Sequence, residues 1–154
     1  MFERININDH RRRIIHDRAY KEPYLIRYYV FLKDRNDFPF NIFIHKFMKG
    51  DDDEDIHDHP WGFFHVILSG GYWEELPIDQ NDLNKGIQKI WREPGYWNCV
   101  SADYKHRIEL NHDIKPWTIF IPLNKINDWG FWVKNNEDWQ KIQHKTYLEN
   151  KKSK

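Results

Sequence analysis

The chain has 154 residues, a length that suits one domain spanning residues 1–154. Its 24 Lys and Arg residues balance its 24 Asp and Glu residues. The chain therefore lacks the basic surplus of a dedicated nucleic-acid-binding protein, and we expect no nucleic-acid partner. The single cysteine, Cys99, excludes an intrachain disulfide and a CxxC zinc site. No apolar run approaches the roughly twenty residues that cross a bilayer, and no signal-peptide segment is visible, so we expect a cytoplasmic protein without a membrane partner.

Aromatic residues make up 17% of the chain, with eight Trp and eight Tyr. A disordered chain would be depleted in such residues. A small β-barrel fills its interior with them, so this composition favours a folded, β-rich protein.

The elements predicted in the first half of the chain are mostly strands. Residues 1–22 are polar, and Asn8-Asp9 predicts the N-cap of a short helix from Arg11 to Arg18. The β-branched and aromatic residues of 24–32 and 40–48 predict two strands. Residues 55–61 are expected to be extended. An apolar run at 63–69 and a second at 72–76 predict a hairpin through Ser69-Gly70-Gly71.

The second half continues this pattern after a polar loop at 77–86. Turn signals separate strands predicted at 87–92, 96–100, 105–110, 117–121 and 129–134. A helical repeat predicts a helix over about 137–150, with Asn135 or Asn136 as its N-cap. The spacing predicts an all-β sandwich or barrel with its core at about 24–134 and one short C-terminal helix.

Three histidines have the spacing of a metal site. His57 and His59 are two residues apart in an extended run, so both rings are expected on one side of the chain. His106 begins another strand-like run about fifty residues later. An HxH pair with a distant third histidine is the ligand pattern of a small metal-binding β-barrel. Nine histidines in 154 residues also produce an HxH pair by chance, so spacing alone leaves both interpretations open.

These motifs resemble those of the cupin superfamily. The first cupin motif reads G-x5-H-x-H-x3,4-E-x6-G, and His57, His59 and Gly71 match it, with Phe64 in the place of the Glu. Gly50 lies one residue from the expected position of the leading Gly. The second motif reads G-x5-P-x-G-x2-H-x3-N. The residues that stand at its positions are Gly95, Ser101, Asp103, His106 and Leu110, of which Gly95 and His106 match.

A narrower group of phage and bacterial cupin-like proteins is also similar. Its pattern combines a His-Asp-His-Pro-Trp box, an Ile-Leu-x-Gly-Gly-Tyr turn, a His-Arg-x-x-Leu strand and a late Trp-Gly-Phe. This chain carries all four, at 57–61, 67–72, 106–110 and 129–131, with Gly62 where those relatives have Asp.

The resemblance implies a double-stranded β-helix, a jelly-roll-like barrel. It implies that His57, His59 and His106 hold a divalent transition metal, with iron, zinc, nickel, copper and manganese not distinguished. With Phe64 in place of the Glu, at least one coordination position stays open to water or substrate. The resemblance also implies a small-molecule substrate in the barrel mouth and a homodimer.

Other side chains, namely Arg27, His45, Phe64 and Glu74, are candidates for contact with a substrate. Arg27 and Tyr29 share one face of a predicted strand, where they either bind an anionic substrate or form an ordinary surface pair. His45 is interpreted as a hydrogen-bonded wall residue in preference to a ligand, and His65 is expected on the outer face if Phe64 points inward. Glu74 is a candidate whose facing the sequence leaves open.

Two acidic features are read as structural. Asp58 alternates with His57 and His59, so we expect it to point away from them, supporting the site from behind or lying on the surface. The acidic run at 51–55 lacks the spacing of a calcium loop and is interpreted as a solvated turn.

Three functions remain open from the sequence. The first is a metal-dependent enzyme, an oxygenase or isomerase acting on a small polar substrate. The second is a metal-free sugar-nucleotide isomerase or epimerase with a histidine as general base. The third is a non-catalytic module that binds a small molecule.

Overall fold

A computed structural model describes residues 11–17, 21–31, 41–51, 54–125 and 128–152. Within these ranges the chain forms twelve strands, one short 3-10 turn at Leu83–Lys85 and one α-helix, α1, at His144–Lys152. The strands are β1 Arg12–His16, β2 Pro23–Tyr29, β3 Phe43–Phe47, β4 Ile56–His57, β5 Trp61–Ser69, β6 Tyr72–Pro77, β7 Ile87–Arg92, β8 Trp97–Val100, β9 Arg107–Glu109, β10 Trp117–Lys125, β11 Gly130–Asn135 and β12 Asp138–Gln143. The predicted all-β double-stranded β-helix is confirmed.

The strands form two layers. One layer is a six-stranded antiparallel sheet in the order β1-β2-β3-β10-β5-β8. The other consists of two three-stranded sheets, β12-β11-β4 and β7-β6-β9. These two are joined where the backbones of His57 and His106 exchange two hydrogen bonds, each 3.0 Å long. The β-bridge that joins these two sheets therefore carries two of the three candidate ligands.

The core lies between the two layers. It is formed by the inward side chains of both, among them Leu25, Phe47, Ile67, Tyr72 and Ile108. Inward and outward residues alternate along β3, where Phe43, His45 and Phe47 are buried and the intervening residues are less so. The helix α1 packs on β11 through Tyr147, whose ring stacks on Phe131 at 4.0 Å between centroids. Among the described residues no helix is long and apolar enough to span a membrane.

The predicted N-terminal helix is wrong in the part that the structure describes. Arg12–His16 is a strand that pairs with β2 over the register Arg12↔Tyr28 to His16↔Pro23. The β-branched pair Ile14-Ile15 favours this, because such side chains fit a pleated surface better than a helix. The proposed cap, Asn8-Asp9, lies outside the described residues.

The predicted hairpin between 63–69 and 72–76 is also wrong. Both strands are present, but β5 pairs with β10 and β8, whereas β6 pairs with β7 and β9. Gly70 and Gly71, at φ +86° and +110°, carry the chain from one layer to the other. A tight glycine turn can either close a hairpin or carry the chain to the other layer, so the local sequence does not distinguish the two connections.

The C-terminal segment is only partly helical. Residues 138–143 form β12, which pairs with β11 through a two-residue turn at Asn136 and Glu137. Asn136 adopts φ +54°, a left-handed conformation that Asn tolerates, and is therefore a turn residue instead of the predicted N-cap. The helix begins only at His144.

Candidate metal centre

His57, His59 and His106 lie together at the junction of the second layer, and we call them the histidine cluster. His57 ends β4, His59 follows two residues later, and His106 immediately precedes β9. One ring nitrogen from each lies within 4.8 Å of the other two. The His59 Nε2 and His106 Nε2 atoms are 2.9 Å apart. The backbone N–H of His59 donates to the Ala102 carbonyl at 3.0 Å, which fixes the second histidine beyond the end of the strand.

The donor set fits a divalent transition metal. Imidazole nitrogens bind such ions at about 2.0–2.1 Å, so two ligands on one ion lie about 3.0–3.4 Å apart. The 2.9 Å separation of His59 and His106 is close to that value. Burial, followed by the neighbouring His106 and His57, lowers the pKa of His59 well below its usual value. A neutral imidazole is the form that ligates a metal, so this environment favours binding.

A buried carboxylate supports His106 from behind. Glu74, on β6, is fully buried, and its Oε1 lies 2.8 Å from His106 Nδ1. Tyr104 Oη donates to the same oxygen at 2.9 Å, and Arg92 Nε donates to Oε2 at 2.7 Å. Burial alone would raise the pKa of Glu74, but the hydrogen bonds and charges of His106 and Arg92 outweigh it and hold that pKa at about 2.

The ionised carboxylate fixes the tautomer of His106. An acceptor at Nδ1 places the ring proton on that nitrogen, so the Nε2 lone pair faces the cluster. The sequence left the facing of Glu74 open and missed Arg92 and Tyr104. The only signal for Arg92 is that it shares one face of β7 with Gln88 and Ile90, both of which are partly buried. No comparable pattern singles out Tyr104.

A second carboxylate lies behind His57. The His57 Nδ1 atom is 4.0 Å from Asp51 Oδ2. That oxygen accepts the backbone N–H of Ile108 at 2.6 Å, and Oδ1 accepts the Tyr24 hydroxyl at 2.6 Å. Asp51 is therefore part of the structure around the site instead of a solvated turn residue; Asp52 and Asp53 lie outside the described residues.

Asp58 points away from the cluster and is buried. Its carboxylate accepts the Gly130 N–H at 2.9 Å and the Trp132 indole N–H at 3.3 Å. Lys141 Nζ lies 2.7 Å from Oδ2. These contacts tie the segment between His57 and His59 to β11 and β12, so Asp58 holds the cluster from behind and does not lie on the surface.

The predicted facing of Phe64 is wrong. On β5 the buried residues are Phe63, His65 and Ile67, whereas Phe64 packs near Trp97 on the other face. Phe63 is the residue beside the cluster, with its ring centroid 4.8 Å from that of His59. The cupin motif allows three or four residues before its Glu, and the three-residue spacing places Phe63 at that position.

His65 is consequently inside the barrel, and its predicted outward facing is wrong. Only 4% of its surface is exposed, and its Nε2 lies 3.2 Å from the Tyr72 hydroxyl. Burial, with the charge of His106, lowers the pKa of His65 to about 4. The residue is neutral at pH 7.

His45 and Arg27 lie side by side on the inward face of the other layer. His45 is 4% exposed, and Arg27 Nε donates to its Nε2 at 3.0 Å. Burial, followed by the Arg27 charge, lowers the pKa of His45 to about 3. His45 is thus the hydrogen-bonded wall residue that the sequence favoured. It is separated from His59 by the stacked rings of Phe120 and Phe63.

The fold and the cluster together define a jelly-roll barrel with a three-histidine site that fits a metal ion. No protein-family model and no curated protein matches this sequence. Solved structures do match. The polyketide cyclase RemF from Streptomyces resistomycificus is 13% identical, with 89% of each chain covered and a TM-score of 0.60.

Two further structures are similar. The iron(II) form of HppE is 13% identical over 73% of this chain, with a TM-score of 0.51. This chain spans only 56% of the length of that protein. A cupin domain from Bordetella pertussis is 13% identical over 66% of this chain and 95% of its own, with a TM-score of 0.45. At 13% identity, the similarities to RemF and HppE show the fold alone.

Proposed function

We propose that the histidine cluster holds a divalent transition metal ion and that the protein is an enzyme acting on a small polar substrate between the two layers. The observation that carries this proposal is the convergence of three imidazole nitrogens within 4.8 Å of one another. The Glu74 carboxylate hydrogen-bonded to His106 supports it, because metal-ligating histidines usually have such an outer partner.

The residues around the cluster suit an open metal centre. A bound ion would supply Lewis acidity or, in the case of iron, a redox couple. Three neutral imidazoles leave the full charge of the ion uncompensated, which favours an anionic group nearby. Phe63 and Phe120 form an apolar wall beside the cluster and exclude water from one side. The Glu74 carboxylate accepts the hydrogen bond of His106 Nδ1–H and so holds that ring in one orientation.

The choice of metal is open among iron, zinc, nickel, copper and manganese. HppE, a structure of similar fold, contains Fe(II). Iron is therefore the first metal to test, under reducing conditions. Oxygenase and isomerase reactions both remain compatible with the site.

The decisive experiment is metal binding by equilibrium dialysis on untagged protein. We expect about one ion per chain in the wild type and none in His106→Ala. His112→Ala is the matched control, because His112 is exposed and does not belong to the histidine cluster, and it should bind as the wild type does. Equal binding by the two variants, or no binding by the wild type, would contradict the proposal.

A metal-free enzyme is the second candidate. The chain of contacts from Glu74 through His106 to His59 resembles a carboxylate-oriented general base. This alternative gains support if the wild type binds no metal and the substitution His106→Ala still abolishes substrate turnover.

The homodimer expected from the resemblance is a further proposal, which sedimentation velocity tests directly.

A further inference from the structure

A row of polar side chains crosses the inward face of the six-stranded sheet. Arg13 is directly opposite Arg27, Arg27 is opposite His45, and His45 is opposite Thr118. Directly paired residues of antiparallel strands project to the same side. The four side chains, which we call the polar row, therefore run across β1, β2, β3 and β10 on one face.

Burial increases along the polar row. Arg13 is exposed, Arg27 is partly buried, and His45 and Thr118 are buried at 4% and 3% exposure. The neighbouring residues on the same face are apolar, with Leu25 and Phe47 on one side. The polar row therefore leads from the edge of the sheet into the interior that the histidine cluster faces from the opposite layer.

The two guanidinium groups of the polar row have no carboxylate counterion among the described residues. Other arginines do: Arg92 Nε is 2.7 Å from Glu74, and Arg107 is 3.4 Å from a Glu75 oxygen. Burial lowers the pKa of Arg27, the Tyr29 phenol opposes this shift, and the charge of Arg13 adds to it. Like charges directly opposite each other destabilise a strand pair, so this arrangement carries a cost that a bound anion would offset.

The Arg27 side chain is held in place for such a contact. Its Nε donates to the neutral His45 ring, and its guanidinium carbon lies 4.3 Å from the centroid of Phe43. The stacking and the hydrogen bond together orient the planar group. An oriented guanidinium binds carboxylate and phosphate groups through two parallel hydrogen bonds.

We propose that the polar row binds an anionic group, a carboxylate or a phosphate, of the small-molecule substrate. The identity of this ligand as a substrate rests on the proposed function, whereas the anion site itself does not. Arg27 is the main contact, Arg13 adds charge at the entrance, and His45 positions Arg27.

The test is calorimetric titration of the chelator-treated protein with inorganic phosphate and, separately, with malonate. We expect saturable binding of at least one of them, and the tighter one identifies the class of the anionic group. Arg27→Met should weaken that binding at least tenfold, and Arg13→Met should weaken it less. Lys89→Met is the control, because Lys89 is an exposed cation of the other layer that pairs with Glu109, and it should leave the affinity unchanged.

The thermal midpoint separates binding from a structural role. Without anion, Arg27→Met should melt within about 5 °C of the wild type, since removing a partly buried, uncompensated charge offsets the loss of the hydrogen bond to His45. Absence of saturable binding, equal affinity in Arg27→Met, or an equal loss in Lys89→Met would overturn the proposal. Because metal is absent from these titrations, failure of the histidine cluster to bind a metal would leave this result standing. His106→Ala should likewise keep the anion affinity while losing the metal.

Discussion

Glu74 shows how a single residue acquires its role from its surroundings. The side chain stands in a run of two glutamates, yet Glu74 is fully buried and Glu75 is only partly so. Alternation along β6 places Glu74 against His106, while Glu75 faces Lys89 and Arg107 on the outer side. The two carboxylates therefore allow a matched comparison by substitution, because one lies behind the candidate metal centre and the other lies outside it.

Glu74→Gln should weaken metal binding about 10- to 100-fold, because the amide neither carries the charge nor holds the His106 tautomer as firmly. Glu75→Gln should leave the affinity within about twofold of the wild type. Competition with a chromophoric chelator measures both. If the two variants bind equally, Glu74 does not act through the metal ligands.

At the scale of elements, the turn between β5 and β6 decides how the layers connect. A side chain at Gly71 would place its Cβ 2.7 Å from the Arg92 carbonyl oxygen and 2.7 Å from the Trp91 ring. Gly95 also has a positive φ, +91°, but its Cβ would meet nothing within 4 Å. Substitutions at these two glycines therefore distinguish the cost of backbone strain alone from the cost of strain combined with a steric clash.

Gly95→Ala should cost about 1 kcal/mol of unfolding free energy, the strain of a left-handed residue. Gly71→Ala should cost more, roughly 3 kcal/mol, because the clash with backbone adds to the same strain. Urea unfolding followed by tryptophan fluorescence measures the difference. Equal costs would show that the turn relaxes without disturbing β7.

At the scale of the whole molecule, the interior contains histidines that must stay neutral. The pKa of His45 is lowered to about 3 and that of His65 to about 4, in both cases mainly by burial. Between these values and the ordinary value near 6.5, the unfolded chain binds protons that the folded protein does not. Stability therefore rises with pH across this window and is lost as the pH falls through it.

We expect the unfolding free energy of the metal-free protein to fall between pH 6.5 and pH 4. His65 should account for on the order of 3 kcal/mol of this loss. In His65→Gln, which keeps a hydrogen-bonding side chain for Tyr72 but does not titrate, the dependence should be shallower. His112→Gln makes the same change at an exposed site and should retain the slope of the wild type. Urea unfolding at four pH values tests this, and identical slopes in all three proteins would contradict it.

The sequence by itself determined the all-β class, most strand positions and the spacing of His57, His59 and His106. These follow from local signals, namely side-chain alternation, turn residues and histidine spacing, which do not depend on distant parts of the chain. The predictions of an N-terminal helix and of a helix over residues 138–143 were wrong. Short polar segments have weak local preferences, so pairing with β2 and with β11 determined that both segments form strands.

Only the tertiary structure decided which side chains meet. The register of β5 placed the side chains of Phe63 and His65 inside and that of Phe64 outside. A register shift of one residue would have reversed the facing of all three. The placement of β6 beside β9 brought Glu74 to His106 across 32 positions of sequence. The pairing of β1 with β2 set Arg13 opposite Arg27 and created the polar row. Such contacts arise from the packing of two layers, and the chain carries no local signal for them.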